Sequence, residues 1–161
     1  AGLSPVSLPG RFQIVPGEPQ LVFDVAHNPH AMATLVAHLD AMGYIPATHA
    51  VFGCMAAKDV ATMLQKLGTL VGHWYFTVLP LPRALGADAL VALSASLPGC
   101  EKASKISYND PQKALDAAVA QAAPTDRIVV CGSFFTVGGV LKHGVPRLNA
   151  KHLGGNDGQN T

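Results

Sequence analysis

The chain is short of charge. Lys, Arg, Asp and Glu make up 13% of its 161 residues, about half the usual share of roughly 25%. Such poverty points to buried strands, or to a face that another domain covers. What charge there is nearly cancels, at +1, which gives neither a nucleic-acid footprint nor an acidic tail. No apolar run reaches the roughly 18 residues that would cross a bilayer. The opening AGLSPVSLPGRF lacks a basic n-region and a continuous apolar stretch, so no secretory signal is expected there. Cys54, Cys100 and Cys131 are odd in number, far apart and without a Cys-x-x-Cys. Reduced, mostly buried thiols in a cytosolic protein are the expectation. Neither G-x-x-x-x-G-K-[ST] nor G-x-G-x-x-G occurs, so an ATP-using enzyme would need its triphosphate cradle elsewhere. His27 and His30 lack the partners and spacing of a zinc motif, and no metal site is expected.

What is present is apolar, at 49%, enough for the core of one domain. Continuous or β-branched apolar runs predict strands over 11–15, 21–25, 48–53, 73–79 and 127–131, with a weak edge strand over 102–107. Between them lie helical faces. Met32, Leu35, Val36, Leu39 and Met42 form one, stopped by Gly43. Val60, Met63, Leu64, Leu67 and Val71 form a second, and Leu90, Leu93 and Leu97 a third. Asp110-Pro111 opens a fourth with Leu115, Ala118, Val119 and Ala122, and Ser133 to Lys142 gives a last one. Strands alternating with helices predict an open, mostly parallel sheet with helices on both faces. From His143 the sequence is rich in Gly and Asn, and a flexible tail over 143–161 is expected.

The chemistry concentrates where strands turn into helices, because ligands of open α/β sheets bind beyond the C-terminal ends of the strands. In LVFDVAHNPHA, Asn28 suits an N-cap and Pro29 the first helical position. The helix N-terminus behind them suits phosphate or carboxylate. Asp24 suits a ribose or other hydroxyl group, and His27 a phosphate or carboxylate. Ser133, in VVCGSFFTVGG, stands at a second such turn, and Lys58, in FGCMAAKDV, at a third. Arg11, in LPGRFQ, suits bidentate contact with a phosphate. The residues alone leave two readings open. Either these groups meet a ligand, or Asn28 and Ser133 merely cap, Asp24 bonds backbone, His27 packs and Lys58 is a solvated charge.

LPGRFQIV, LVFDVAHNPHA, VFGCMAAKDV and VVCGSFFTVGGVL together resemble, in order and spacing, the C-terminal domain of folylpolyglutamate synthase/dihydrofolate synthase, a branch of the Mur ligase superfamily. The resemblance runs from about Leu8 to Leu141 and implies a Rossmann-like Mur ligase C-terminal domain over 1–142. One departure is Ala57, where the family commonly has an acidic residue. The resemblance further implies a partner P-loop domain, N-terminal and absent from this chain, that mainly holds ATP and Mg2+. The reaction implied joins L-glutamate to dihydropteroate or a folate through an acyl phosphate. Arg11 would approach the terminal phosphate, Asp24 the ribose, His27 the nucleotide or incoming glutamate, and Ser133 the glutamate. Arg11 and His27 would be catalytic, and Asn28 would help hold the nucleotide. A cytoplasmic monomer without nucleic-acid or membrane partners is expected, with this domain alone inactive. Two alternatives stay open: a non-catalytic nucleotide- or anion-binding module, and a domain of a cell-wall Mur-type ligase.

Overall fold

The computed structural model describes residues 12–141. Six strands and five helices follow one another as β1 (Gln13–Val15), β2 (Gln20–Phe23), α1 (Pro29–Ala41), β3 (Thr48–Phe52), α2 (Val60–Gly68), β4 (His73–Thr77), α3 (Ala87–Ala95), β5 (Ser104–Tyr108), α4 (Pro111–Gln121), β6 (Arg127–Cys131) and α5 (Phe134–Leu141). They form one sheet in the order β1-β2-β6-β3-β4-β5. All neighbouring strands are parallel except β1, which pairs antiparallel with β2. The antiparallel pair has a simple cause: residues 16–19 are too few for the crossover that a parallel neighbour requires.

Strand periodicity sorts the apolar side chains into two layers. Val22, Ala50, Phe52, Trp74, Phe76 and Val129 point one way, into a core closed by α1, α2 and α3. Leu21, Phe23, Val51, Tyr75, Ile128 and Val130 point the other way, against α4 and α5. β3 and β6 are buried along their whole length, and the centre of β6, Ile128-Val129-Val130, reads as an unbroken apolar run for that reason. Covering both faces accounts for the shortage of charge without any further domain. No helix among the described residues is long and apolar enough to cross a membrane.

Helix ends follow the local chemistry. The Asn28 side chain caps α1, Pro29 occupies its first turn, and Gly43 leaves it at φ +90°. Asp110 Oδ2 accepts from the N–H groups of Gln112 and Lys113 to start α4. The expected boundaries shift in several places. β2 ends at Phe23 rather than Val25, because the Asp24 carboxylate takes the Ala26 N–H at 2.8 Å and turns the chain off the sheet. β4 ends at Thr77 and α2 at Gly68, each short of the predicted limit. β5 begins at Ser104, two residues later than read from the sequence. The expected strand start at Arg11 and the tail over 143–161 lie outside the described residues.

Candidate functional site

β2 and β6 are adjacent and parallel, with Phe23 beside Val130, so the turns that follow them leave the same edge of the sheet. Two backbone bonds tie these turns together: Asp24 N–H donates to Val130 O at 3.1 Å, and Gly132 N–H to Ala26 O at 3.0 Å. Gly132 has φ +107°, and a Cβ there would run into Gly53 O and the Phe52 ring. Only glycine lets the β6 turn lie this close to the β3 turn.

Beyond β2, Asp24, His27 and Asn28 line one side of an open groove of about 480 Å³. Its other wall is Phe12 together with His30, Thr34 and His38, which lie one helical turn apart along α1. Phe12 leans on His38, with ring centroids 4.7 Å apart. His27 is exposed, and its Nδ1 lies 3.1 Å from Val25 O. A carbonyl only accepts, so Nδ1 is the donor. The neutral ring then presents Nε2 as an acceptor, and donation from Nε2 requires the protonated ring.

The anion site at the start of α1 is smaller than the bare helix end implies. Pro29 has no N–H, Ala31 N–H is taken by Asn28 Oδ1 at 2.8 Å, and Met32 N–H by Asn28 O at 2.9 Å. Among the described residues, the His30 amide is left open in this first turn. Asn28 therefore acts first as a cap.

Ser133 stands on the same edge but does not line the groove. It is buried, its hydroxyl accepts the Phe135 N–H at 3.1 Å, and its carbonyl accepts those of Thr136 and Val137. Next to it, Thr136 Oγ1 donates to Gly53 O at 2.6 Å. Lys58 is exposed in the turn before α2, and that turn is braced by the β4–α3 loop through Ala56 N–H to Arg83 O at 2.8 Å. Ala57 beside it is exposed and offers no carboxylate. Arg11 lies outside the described residues.

Three of the sequence-predicted groups, Asp24, His27 and Asn28, thus converge on the groove, and Ser133 sits behind it. His30, Thr34 and His38 were not read as a wall, although their four-residue spacing carries that signal. A second depression, about 560 Å³, opens beyond β4 and β5 beside Asp88, Ser107 and Asn109. It has no imidazole, and a carboxylate stands at its helix end. The thiols are not poised as nucleophiles. Burial pushes Cys54 up to about 12 and raises Cys131 and Cys100 as well. All three are free and buried, as expected.

A carboxylate, an imidazole acceptor and one free amide fit the ribose side of a nucleotide or an amino-acid substrate. They offer no cradle for a triphosphate. Among the described residues, no group of three His, Cys, Asp or Glu could hold a metal ion.

Fold and groove together define an open α/β domain whose polar groups gather at the C-terminal edge of a mostly parallel sheet. The family model for the Mur ligase, glutamate ligase domain matches residues 10–134; the chain belongs to that family. It is 36% identical over 96% of its length to the dihydrofolate synthase/folylpolyglutamate synthase of Escherichia coli strain K12, covering 34% of that protein. The structure of E. coli FolC in complex with DHPP and ADP superposes with a TM-score of 0.75 at 38% identity, over 84% of this chain and 31% of that one. A bifunctional folylpolyglutamate synthase/dihydrofolate synthase with Mn, AMPPNP and L-glutamate bound gives 0.74 at 37% identity, over 85% and 32%. The chain thus spans about a third of the length of these relatives.

Proposed function

We propose that this chain is the C-terminal part of an ATP-dependent ligase that joins L-glutamate to dihydropteroate, tetrahydrofolate or both. The observation that carries this reading is the groove. Asp24, His27 and the free His30 amide meet there, on the edge of a glutamate-ligase domain where ligands bind. ATP and Mg2+ would be held mainly by an N-terminal P-loop domain, and the bound nucleotide would activate the pteroate or folate carboxylate as an acyl phosphate.

This chain's residues then have separable tasks. Asp24 accepts from the ribose hydroxyls. His27 Nε2, an acceptor in the neutral ring, takes a proton from the glutamate ammonium so that the amine can attack. Arg11 meets the terminal phosphate, where charge accumulates. Asn28 holds the start of α1 in place, and Ser133 supports the wall behind the glutamate by fixing the β6 turn. Closure of the two domains excludes water from the acyl phosphate, which hydrolyses readily. Residues 1–142 form the working domain, in a monomeric cytoplasmic enzyme.

Joining the chain to the P-loop half of a relative tests this. ADP release should depend on both glutamate and a pteroate or folate substrate, and either half alone should be inactive. Nucleotide or anion binding by the chain alone, with no gain on adding the P-loop half, would favour a non-catalytic module instead. Dependence on a cell-wall precursor would favour the other ligase branch.

A further inference from the structure

At the opposite edge of the sheet, where the parallel strands begin, lies a cluster of titratable groups that the proposed reaction does not use. His49 is 2% exposed and Asp126 8%. His49 Nε2 is 3.0 Å from Asp126 Oδ2, and its Nδ1 is 2.9 Å from the Tyr75 hydroxyl. The same carboxylate oxygen accepts the Ala123 N–H at 2.9 Å. The His73 ring stacks on His49 at 4.6 Å and bonds Ser104 Oγ at 2.8 Å.

The partners fix the proton positions. An ionised carboxylate only accepts, so Nε2 carries the hydrogen. The neutral ring then has its lone pair on Nδ1, and the Tyr75 hydroxyl donates to it. We propose that Asp126–His49–Tyr75 is a proton-state latch. While His49 is neutral it joins β3, β4 and the approach to β6, and acid lowers the stability of the domain through it.

Protonation would put an N–H on Nδ1, facing a hydroxyl whose own proton has no other acceptor among the described residues. The surroundings oppose that charge. Burial is the main cause holding His49 below the ordinary 6.5; the Asp126 bond works against it, and His73 adds to it. β4 contributes His73 and Tyr75, β5 Tyr108 and Ser104, and the β6 approach Asp126. Arg127 turns to the far face to bond Thr48 and Leu39. From α4 the buried side chains are apolar, with Lys113 and Asp116 exposed.

The sign follows. The folded pKa of His49 is depressed, so the unfolded chain binds the extra proton first. The contribution is full above about 6.5 and is lost as pH falls from there. Asp126 is also held below its ordinary 3.8, although burial alone would raise it, because the His49 bond outweighs burial together with lesser contributions. Its own contribution therefore disappears only in stronger acid.

The test is urea unfolding of the 161-residue chain between pH 7.5 and 5, with 15N imidazole spectra of His49. The unfolding constant should rise on acidification by up to about tenfold per pH unit, and His49 should show the Nε2–H tautomer throughout. His49→Gln should flatten the dependence. Tyr75→Phe should keep the fold and raise the His49 pKa, because it removes a donor to the neutral form. An Nδ1–H tautomer, ordinary titration of His49, or an unchanged slope in His49→Gln would overturn the latch.

Discussion

The two edges of this sheet are built from the same strands, yet they treat polar groups in opposite ways. At the edge where the strands begin, His49, Tyr75, Asp126 and Arg127 are buried in long-range bonds to one another and to the backbone. At the edge where they end, the Asp24 carboxylate takes the Ala26 N–H and the His27 ring bonds Val25 O, and both side chains line an open groove. Buried polar groups without partners cost stability, whereas groups that line an open groove can meet a ligand. The first edge therefore holds the fold, and the second is available for chemistry.

Substitutions should respect that division, and the largest effect is expected at the ligand edge. In the two-half enzyme, Arg11→Ala should lower turnover by about 100-fold or more, with the urea midpoint unchanged; full turnover would end the role given to Arg11. At the opposite edge, Arg127→Ala should cost roughly 3 kcal/mol of stability. It strands Leu39 O and the Thr48 hydroxyl, which the guanidinium now reaches at 2.8 Å each. Chemical denaturation checks this, and any effect on ADP release should follow stability alone. Gly132→Ala combines both kinds of effect. A Cβ against Gly53 O at positive φ should cost about 2 kcal/mol and also displace the β6 turn, which would appear as a raised KM for glutamate. The smallest effect belongs to Asn28→Ala. Losing the 2.8 Å cap should cost about 1 kcal/mol, and Asn28→Asp should restore most of it. If Asn28→Ala removed turnover at unchanged stability, the cap would not be its main task.

Much of the fold was legible because burial on both faces leaves unbroken apolar runs in β2 and β6, and because Asn28-Pro29 and Asp110-Pro111 announce helix starts. The antiparallel β1 was not read, although the shortness of the 16–19 connection contains it. At the site, Asp24 and His27 stood out because a polar break in a buried strand is locally conspicuous. The His49 cluster was invisible for the opposite reason. Its partners are 26 and 77 residues away along the chain, and a lone histidine inside a strand carries no mark of them. Ser133 shows the limit of reading by motif. Its position at a strand-to-helix turn was right, but only coordinates reveal that its hydroxyl is already engaged.

The placing of β6 has a consequence for biosynthesis. It is the last strand among the described residues, yet it lies between β2 and β3. Until it emerges from the ribosome, those two strands cannot be joined through it, and each presents an unpaired edge to other nascent chains. Assembly of the sheet must therefore wait for nearly the whole domain to be translated. A ribosome stalled before Arg127 would hold a chain prone to self-association rather than a smaller, stable fold.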